Sequence, residues 1–387
     1  MAKASGPQRP RRRFGRVRKL PSGRYQAGYL APDGSVVYAD RTFPTKAMAD
    51  RFLVLTEAEM MSGTWMPPER RRETVGEWAE RWTAGGSGWK PKTKAWHAWL
   101  LGRHILPRWG DTAIGDVRRD DVRSWATETA ATGLSTTTVR HIVAVLGQVL
   151  AFAVDSEAIP ANPCASLRLP SPRRQEEMRF LSVKRVEALA RAIARPGVRP
   201  SGHGAGPHWR TDRSDLALAV RLAAYCGPRA GELWALRRGR VDLATGRLVI
   251  QESLSDANGH LSFGSTKTGR ARAVPIPPSL IPDLRRHLAS KVATGSSALV
   301  FTNETGGPVR HGNFYRRHFK PAVARAGLPP DLRFHDLRHT YIALLIAQGA
   351  HPRSVMERAG HSSITVTVGT YGKAWELQQV NEEALLA

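Results

Sequence analysis

At 387 residues the chain has room for two or three domains, and a hydrophobic share of 41% supplies enough apolar mass for large cores, which excludes global disorder. Lys and Arg outnumber Asp and Glu 58 to 33, a formal excess of +25 that favours a polyanionic partner, nucleic acid ahead of anionic membrane. Cys164 and Cys226 are too few and too far apart for a zinc cluster of Cys ligands, and no apolar run reads as approaching the roughly 20 residues that span a bilayer.

The first twenty residues carry eight Lys/Arg and no acid, and no apolar signal segment follows them. Residues 1–13 therefore read as a basic tail with sequence-independent phosphate affinity, and the protein as soluble and cytoplasmic. In "GRYQAGYLAPDGSVVYADRTF" two short β-rich runs flank Asp33-Gly34, a strong hairpin signal, and a third run reaches Phe43. Thr45 then suits the N-cap of a helix through Ala47, Phe52, Leu55 and Ala58. Residues 14–66 are thus expected to form a three-stranded sheet with one helix, either a basic DNA-binding module or a small packing module.

"MPPERRRE" marks a linker, after which 74–160 reads as all helical. Thr74 heads a helix carrying Val75, Trp78, Ala79 and Trp82, and Trp89, Trp96 and Trp99 add aromatic mass. The pattern breaks at Pro107 and Gly110 and restarts near Arg119. Ser135 introduces a long amphipathic helix through Val139, Ile142, Val143, Leu146, Leu150 and Ala153. The run from Ile142 to Val154, interrupted by Gln148, reads as too short to cross a membrane. Residues 161–177, with several prolines and mixed charge, form a second linker.

From 178 to 387 a larger mixed domain is expected. Helices fall at 182–194 and 214–226, the second making Cys226 a buried apolar residue. "GRLVIQES" and "RARAVPI" are the clearest strands of a β-hairpin, and "NFYRRHFKPAVARAG" is helical. His203 and His208 sit in a Gly/Pro-rich stretch that reads as a surface loop, so no metal site is expected there. In "RFHDLRHTYIALLIAQG" Leu337, Tyr341, Leu344 and Leu345 recur at helical spacing before Gly349, yet the first turn is loaded with His335, Arg338 and His339. Taken alone those charges suit a solvated helix end; alternatively His335 and Arg338, three apart, share a face and point into a site. Arg229 and Glu232 likewise fit a surface i,i+3 pair, and Lys267 an ordinary turn lysine.

Together they say more. "GPRAGEL", "TKTGRARAVPI", "HDLRHT", "GHSS" and "TYGK" follow one another in the order and spacing of the tyrosine recombinases, and the chain resembles the phage-integrase family. The likeness covers the third domain and extends more weakly to the other two. It implies a multidomain α+β fold: a small N-terminal sheet plus helix, an all-helical core-binding domain, and a mainly helical catalytic domain with a small β-hairpin or sheet. It makes Tyr371 the nucleophile, Arg229 and Arg338 the pair gripping the scissile phosphate, Lys267 the general acid, and His335 and His361 assistants in proton movement. Glu232 is implied to hold Arg229, and His339 reads as structural support.

The chemistry suits these residue types. Attack on a phosphodiester builds charge on nonbridging oxygens, which planar guanidiniums bind bidentately, each fixed donor supplying about 3 kcal/mol. Tyrosine, with a pKa of about 10, needs its proton drawn off. A covalent 3′-phosphotyrosyl link conserves bond energy, so the resemblance implies no cofactor, neither ATP nor metal. It further implies core-type and arm-type sites on double-stranded DNA and a homotetramer. Within that tetramer the tail "WELQQVNEEALLA" packs on a neighbour or on its own domain. A host DNA-bending protein and a directionality factor are possible partners in this family, and no membrane is. A type IB topoisomerase and a non-catalytic DNA-binding protein on the same fold are the alternative readings. Three positions depart from the family pattern: Pro228 before the first arginine, Ala359 where Leu is usual, and "ITVTVGTY", which alternates like a strand where the family has a helix.

Overall fold

The computed structural model describes residues 14–170, 179–195, 213–365 and Tyr371. The expected basic tail, the His203/His208 stretch and the C-terminal tail lie outside the described residues, as do 366–370 of "ITVTVGTY". The chain divides into two compact units, 1–174 and 175–387.

The first unit opens with an antiparallel sheet in the order β1 (Arg16–Lys19), β2 (Tyr25–Leu30), β3 (Val36–Tyr38). Leu30 pairs with Val36 across the expected turn, where Asp33 Oδ1 accepts from the Ser35 N–H at 2.9 Å and Gly34 takes φ 83°. β3 stops at Tyr38, and Phe43 returns to pair with Tyr25 at the other end of the central strand β2. Thr45 caps α1 (Lys46–Met61), its hydroxyl accepting from Met48 N at 3.3 Å. The buried stripe of α1 is Ala49, Leu53 and Thr56, whereas Ala47, Leu55 and Ala58 are exposed. The sheet decides which face packs, and helix propensity is blind to that.

Helices complete the unit: α2 (Pro68–Arg72), α3 (Val75–Gly85), α4 (Pro91–Leu100), α5 (Leu106–Trp109), α6 (Arg119–Ala131) and α7 (Thr136–Asp155). The expected linker "MPPERRRE" is therefore partly helical. Thr74 and Glu77 form a reciprocal capping box at the start of α3, at 3.2 and 2.8 Å. Trp78, Trp82 and Trp109 enter the core, but Trp96 and Trp99 do not: they stack on each other at 5.0 Å and are 41% and 46% exposed. The membrane expectation also needs correcting. α7 has 20 residues at mean hydropathy 1.6, long and apolar enough to cross a bilayer by length and composition. Its apolar stripe, Val139, Ile142, Leu146, Val149, Leu150 and Ala153, is buried within the helical core, the place of a central helix in a folded unit. The first half of the expected second linker is fastened to α7: Asn162 Nδ2 donates to Gly147 O at 2.8 Å, and Cys164 packs against Gly147.

The second unit begins with α8 (Val183–Ala194), α9 (Ser214–Cys226) and α10 (Ala230–Trp234). The strands β4 (Val241–Asp242), β5 (Arg247–Ile250), β6 (Glu252–Ala257), β7 (His260–Ser265) and β8 (Arg272–Pro275) follow. They make two sheets, β4-β5-β8 and the hairpin β6-β7. The two strands expected to form one hairpin do pair, Leu248 with Val274, but the β6–β7 hairpin is inserted between them at an Asn258-Gly259 turn. Both turn residues have positive φ, as a two-residue hairpin turn demands. Then come α11 (Ile281–Ser290), α12 (His311–Phe314), α13 (Lys320–Arg325), α14 (Asp336–Ala347) and α15 (Pro352–Ala359). One apolar core, centred on Trp234, Phe301, Phe319, Leu337 and Ile342, ties these helices to the sheet β4-β5-β8. Helical backbone resumes at 364, directly after Ser363, and Tyr371 is helical.

Candidate active site

The site grows from the end of α15. That helix closes on Gly360 in the left-handed region, φ 67°, and its last carbonyls turn toward three guanidiniums. Arg272 Nε donates to Arg358 O at 3.1 Å, Arg338 Nη2 donates to Ala359 O, and Arg229 Nη2 donates to Gly360 O at 3.0 Å. Three consecutive carbonyls at the negative end of one helix dipole thus each hold a different arginine. Gly360 is needed twice: its φ suits glycine, and a Cβ would stand 3.1 Å from Arg272 Cζ.

A second helix end contributes. α9 stops at Gly227, φ 68°, whose carbonyl accepts from Arg338 Nη1 at 2.6 Å. Arg338 is 2% exposed. Burial, then the charges of Arg229 and Arg272, lower its pKa to about 9, which leaves it cationic at neutral pH. Pro228 precedes α10 instead of occupying its first turn, and Arg229 is the N-cap. Glu232 reaches back from the third helical position: its Oε2 accepts from Arg229 N at 2.8 Å and its Oε1 from Arg229 Nη1 at 3.0 Å. This is no surface pair. The Glu232 side chain is 1% exposed and also takes Arg272, at 2.5 and 3.1 Å. Burial alone would raise its carboxyl, but the Arg272 hydrogen bonds and charge, with those of Arg229, hold it below the usual carboxylate range.

Arg272 was not singled out by the sequence. Its signal was strand alternation: on β8 it shares a face with Val274, which is fully buried, so an arginine in that register had to find partners inside.

The histidines line the same region. His335 precedes α14, exposed to solvent, and meets His339 edge-on with ring centroids 5.0 Å apart. Partial burial, then the neighbouring cations and His339, lower His335 to about 4. His361 follows Gly360 and lies nearly parallel to the Tyr371 ring, 6.4 Å between centroids and 9° between planes. Burial, then Arg338 and Arg229, lower it too to about 4. Tyr371 is 2% exposed and hydrogen-bonded through its hydroxyl to His339 Nδ1. Burial raises its pKa to about 12 against the opposing charge of Arg338. Ala359, the departure from Leu, is fully buried, and its carbonyl is one of the two that hold Arg338.

The structure therefore gathers Arg229, Glu232, His335, Arg338, His339, His361 and Tyr371. Lys267 stands apart. It is exposed on the turn between β7 and β8, and among the described residues it has no hydrogen bond or ion pair to the cluster. Among the described residues no group of three or more His, Cys, Asp or Glu is placed to hold a metal ion. Three guanidiniums against one carboxylate leave a net cationic pocket. Each guanidinium has five N–H donors; Arg338 uses two on carbonyls, which leaves three with no partner among the described residues.

Comparison with known proteins places the whole chain. Residues 13–62 match the model for the phage integrase N-terminal domain, 75–169 the phage integrase central domain, and 205–376 the phage integrase family. A putative prophage phiRv2 integrase of Mycobacterium tuberculosis is 32% identical over 365 residues, covering 92% of this chain and 90% of that protein. The integrase of Mycobacterium phage D29 is 28% identical, covering 91% of both. Among solved structures, the Tn1549 transposon integrase in complex with transposon right end DNA superposes with TM-score 0.65 at 21% identity, over 81% of this chain and 100% of that one. A lambda integrase tetramer bound to a Holliday junction gives TM-score 0.57 at 18% identity, over 90% and 96%. These two likenesses speak for the fold.

Proposed function

The chain belongs to the phage integrase family of tyrosine recombinases and is a site-specific DNA recombinase, and from that premise we propose how its own residues carry the reaction. Arg338 and Arg229 bind the nonbridging oxygens of the scissile phosphate with the N–H groups that the helix-end carbonyls leave over. Tyr371 attacks the phosphorus, a 3′-phosphotyrosyl bond forms, and the 5′ oxygen leaves. Lys267 protonates that oxygen when DNA lies against the β7–β8 turn. His335 and His361, both neutral near pH 7, border the phosphate. Glu232 and Arg272 aim Arg229 and do not touch substrate. Religation reverses the sequence on a new strand, with no energy source beyond the phosphotyrosine itself.

The observation that carries this reading is the unbalanced charge. Arg229, Arg272 and Arg338 converge on one helix end, Glu232 pairs with Arg229 and Arg272, and Asp336 is committed to Arg333 at 2.9 Å. Such a pocket gains from an anion bound at its centre.

DNA is the partner, and the enzyme works as a multimer. In finer detail we infer a homotetramer on core-type sites. The helical domain, 74–160, and the catalytic domain, 178–387, would grip the core site, and the module 14–66 would hold arm-type sites. A host bending protein and a directionality factor would join the complex, acting on DNA in the bacterial cytoplasm.

The test is a nicked suicide substrate carrying the element's own core site, incubated with the wild type and with Tyr371→Phe. A denaturation-resistant adduct with the wild type, absent from the variant, is expected. Tight binding without any adduct would replace the enzyme by a DNA-binding protein; relaxation without strand exchange would replace it by a topoisomerase.

A further inference from the structure

Chemistry at Tyr371 requires that its phenolic proton go somewhere, and the hydrogen bond of that hydroxyl is made to His339 Nδ1. His339 sits one turn beyond His335 on the same face of α14, so it looks onto the same pocket. The two rings, His339 and Tyr371, have centroids 5.7 Å apart and are tilted by 50°, so they meet at Nδ1 and the hydroxyl and are not stacked face to face. His361 instead lies face to face with the phenol. We propose that His339 is a catalytic residue, the general base that accepts the Tyr371 proton as the oxygen–phosphorus bond forms. This deepens the recombinase reading and rests on Tyr371 being the nucleophile.

The step balances. Tyr371 Oη bonds to phosphorus while its proton passes to His339 Nδ1. The phosphorus–O5′ bond breaks with its electron pair on O5′, which takes a proton from Lys267. On religation the imidazolium returns the proton to Oη. For this His339 must begin neutral, with its proton on Nε2. Burial lowers its pKa, Asp336 opposes, and Arg333 and Arg338 lower it further, so the neutral form holds at physiological pH. The other titratable groups facing it are His335 from the N-cap of its helix, and Tyr371 and His361 from beyond α15. Tyr371, raised to about 12, gives up no proton at rest. Its acidity rises as it becomes an aryl phosphate ester, and the base is already in contact when that happens.

The decisive experiment is single-turnover cleavage by the full-length protein on the suicide substrate, across about pH 5 to 9. His339→Asn keeps a polar contact to the phenol but cannot take its proton, and adduct formation is expected to fall about 10²–10³-fold. The wild-type rate should level off once the pH exceeds the lowered pKa of His339, whereas the variant should climb about tenfold per pH unit as hydroxide substitutes. A substrate with sulfur in place of O5′ needs no general acid, so it should rescue Lys267→Ala and leave His339→Asn slow. His339→Ala, with room beside the phenol, should recover rate on adding imidazole. Cleavage by His339→Asn within about threefold of wild type, or rescue of it by the sulfur substrate, would overturn the proposal and leave His339 a support for α14. Failure of the underlying reading looks different: the wild type itself would form no adduct, or Tyr371→Phe would still form one.

Discussion

The helical part of the first unit and the core of the second both wrap apolar side chains around tryptophan, but they differ in what else they bury. Among the described residues, the buried polar side chains of the first unit are Thr56 and Thr129, both uncharged. The second unit buries Arg213 and Arg338, the carboxylates Asp215, Glu232 and Asp336, and His287. Removing a charge from water costs several kcal/mol, repaid only where partners are well placed. Asp215 has Arg213 at 3.4 Å and Glu232 has Arg272, but Arg338 has only two carbonyls among other cations. One region uses burial to be stable; the other uses part of its burial to keep cations poised for an anion that arrives later.

That contrast can be broken at several points. The largest effect is expected at Trp109, 2% exposed and edge-on to Trp125 at 5.7 Å. Trp109→Ala should cost about 3–5 kcal/mol, and region-resolved hydrogen exchange should show the loss confined to the first unit. Equal deprotection of α8 to α15 would show that the two cores do not stand separately. Arg338→Met should do the reverse: cleavage falls about 10²–10³-fold while the thermal midpoint holds or rises, because an apolar chain of similar volume replaces a poorly compensated cation. A midpoint that drops with activity would make Arg338 an ordinary structural residue.

Acid sharpens the comparison with a smaller effect. His318, His335 and His361 are lowered from 6.5 to about 4, in each case by burial first. The folded form therefore binds protons less readily than the unfolded chain. The stability these groups contribute is whole above about pH 6.5 and is lost as pH falls toward 4. Glu232, also held low, loses its contribution lower still. His97 and His104 in the first unit shift in the same direction but lack a surround of buried cations. Exchange measured down this range should find the second unit opening first; the opposite order would refute the account.

Much of this was readable in the residues. The Thr74 cap, the Asp33-Gly34 turn and the apolar stripe of α7 are local, and local rules found them. The candidate site residues were picked through the resemblance of short motifs, and all but Lys267 lie together in space. What escaped was tertiary. The face of α1 is chosen by a sheet, and Trp96 and Trp99 stay outside because their helix offers its other side to the core. Arg272 is held by a carboxylate 40 positions away and by the carbonyl of Arg358. A carbonyl is the same in every residue, so no motif announces that 358, 359 and 360 each hold an arginine.

The span of those contacts has a consequence for how the protein is made. Arg338 reaches a carbonyl 111 positions earlier, and Arg229 one 131 positions later. A ribosome releases the first-unit cores and two of the three arginines well before it reaches the helix end that aims them. A chain halted short of residue 358 lacks the carbonyls that hold the three guanidiniums together, and lacks Tyr371. The cationic cluster and the tyrosine beside it are thus completed only after the sheet and most helices of the second unit have been made.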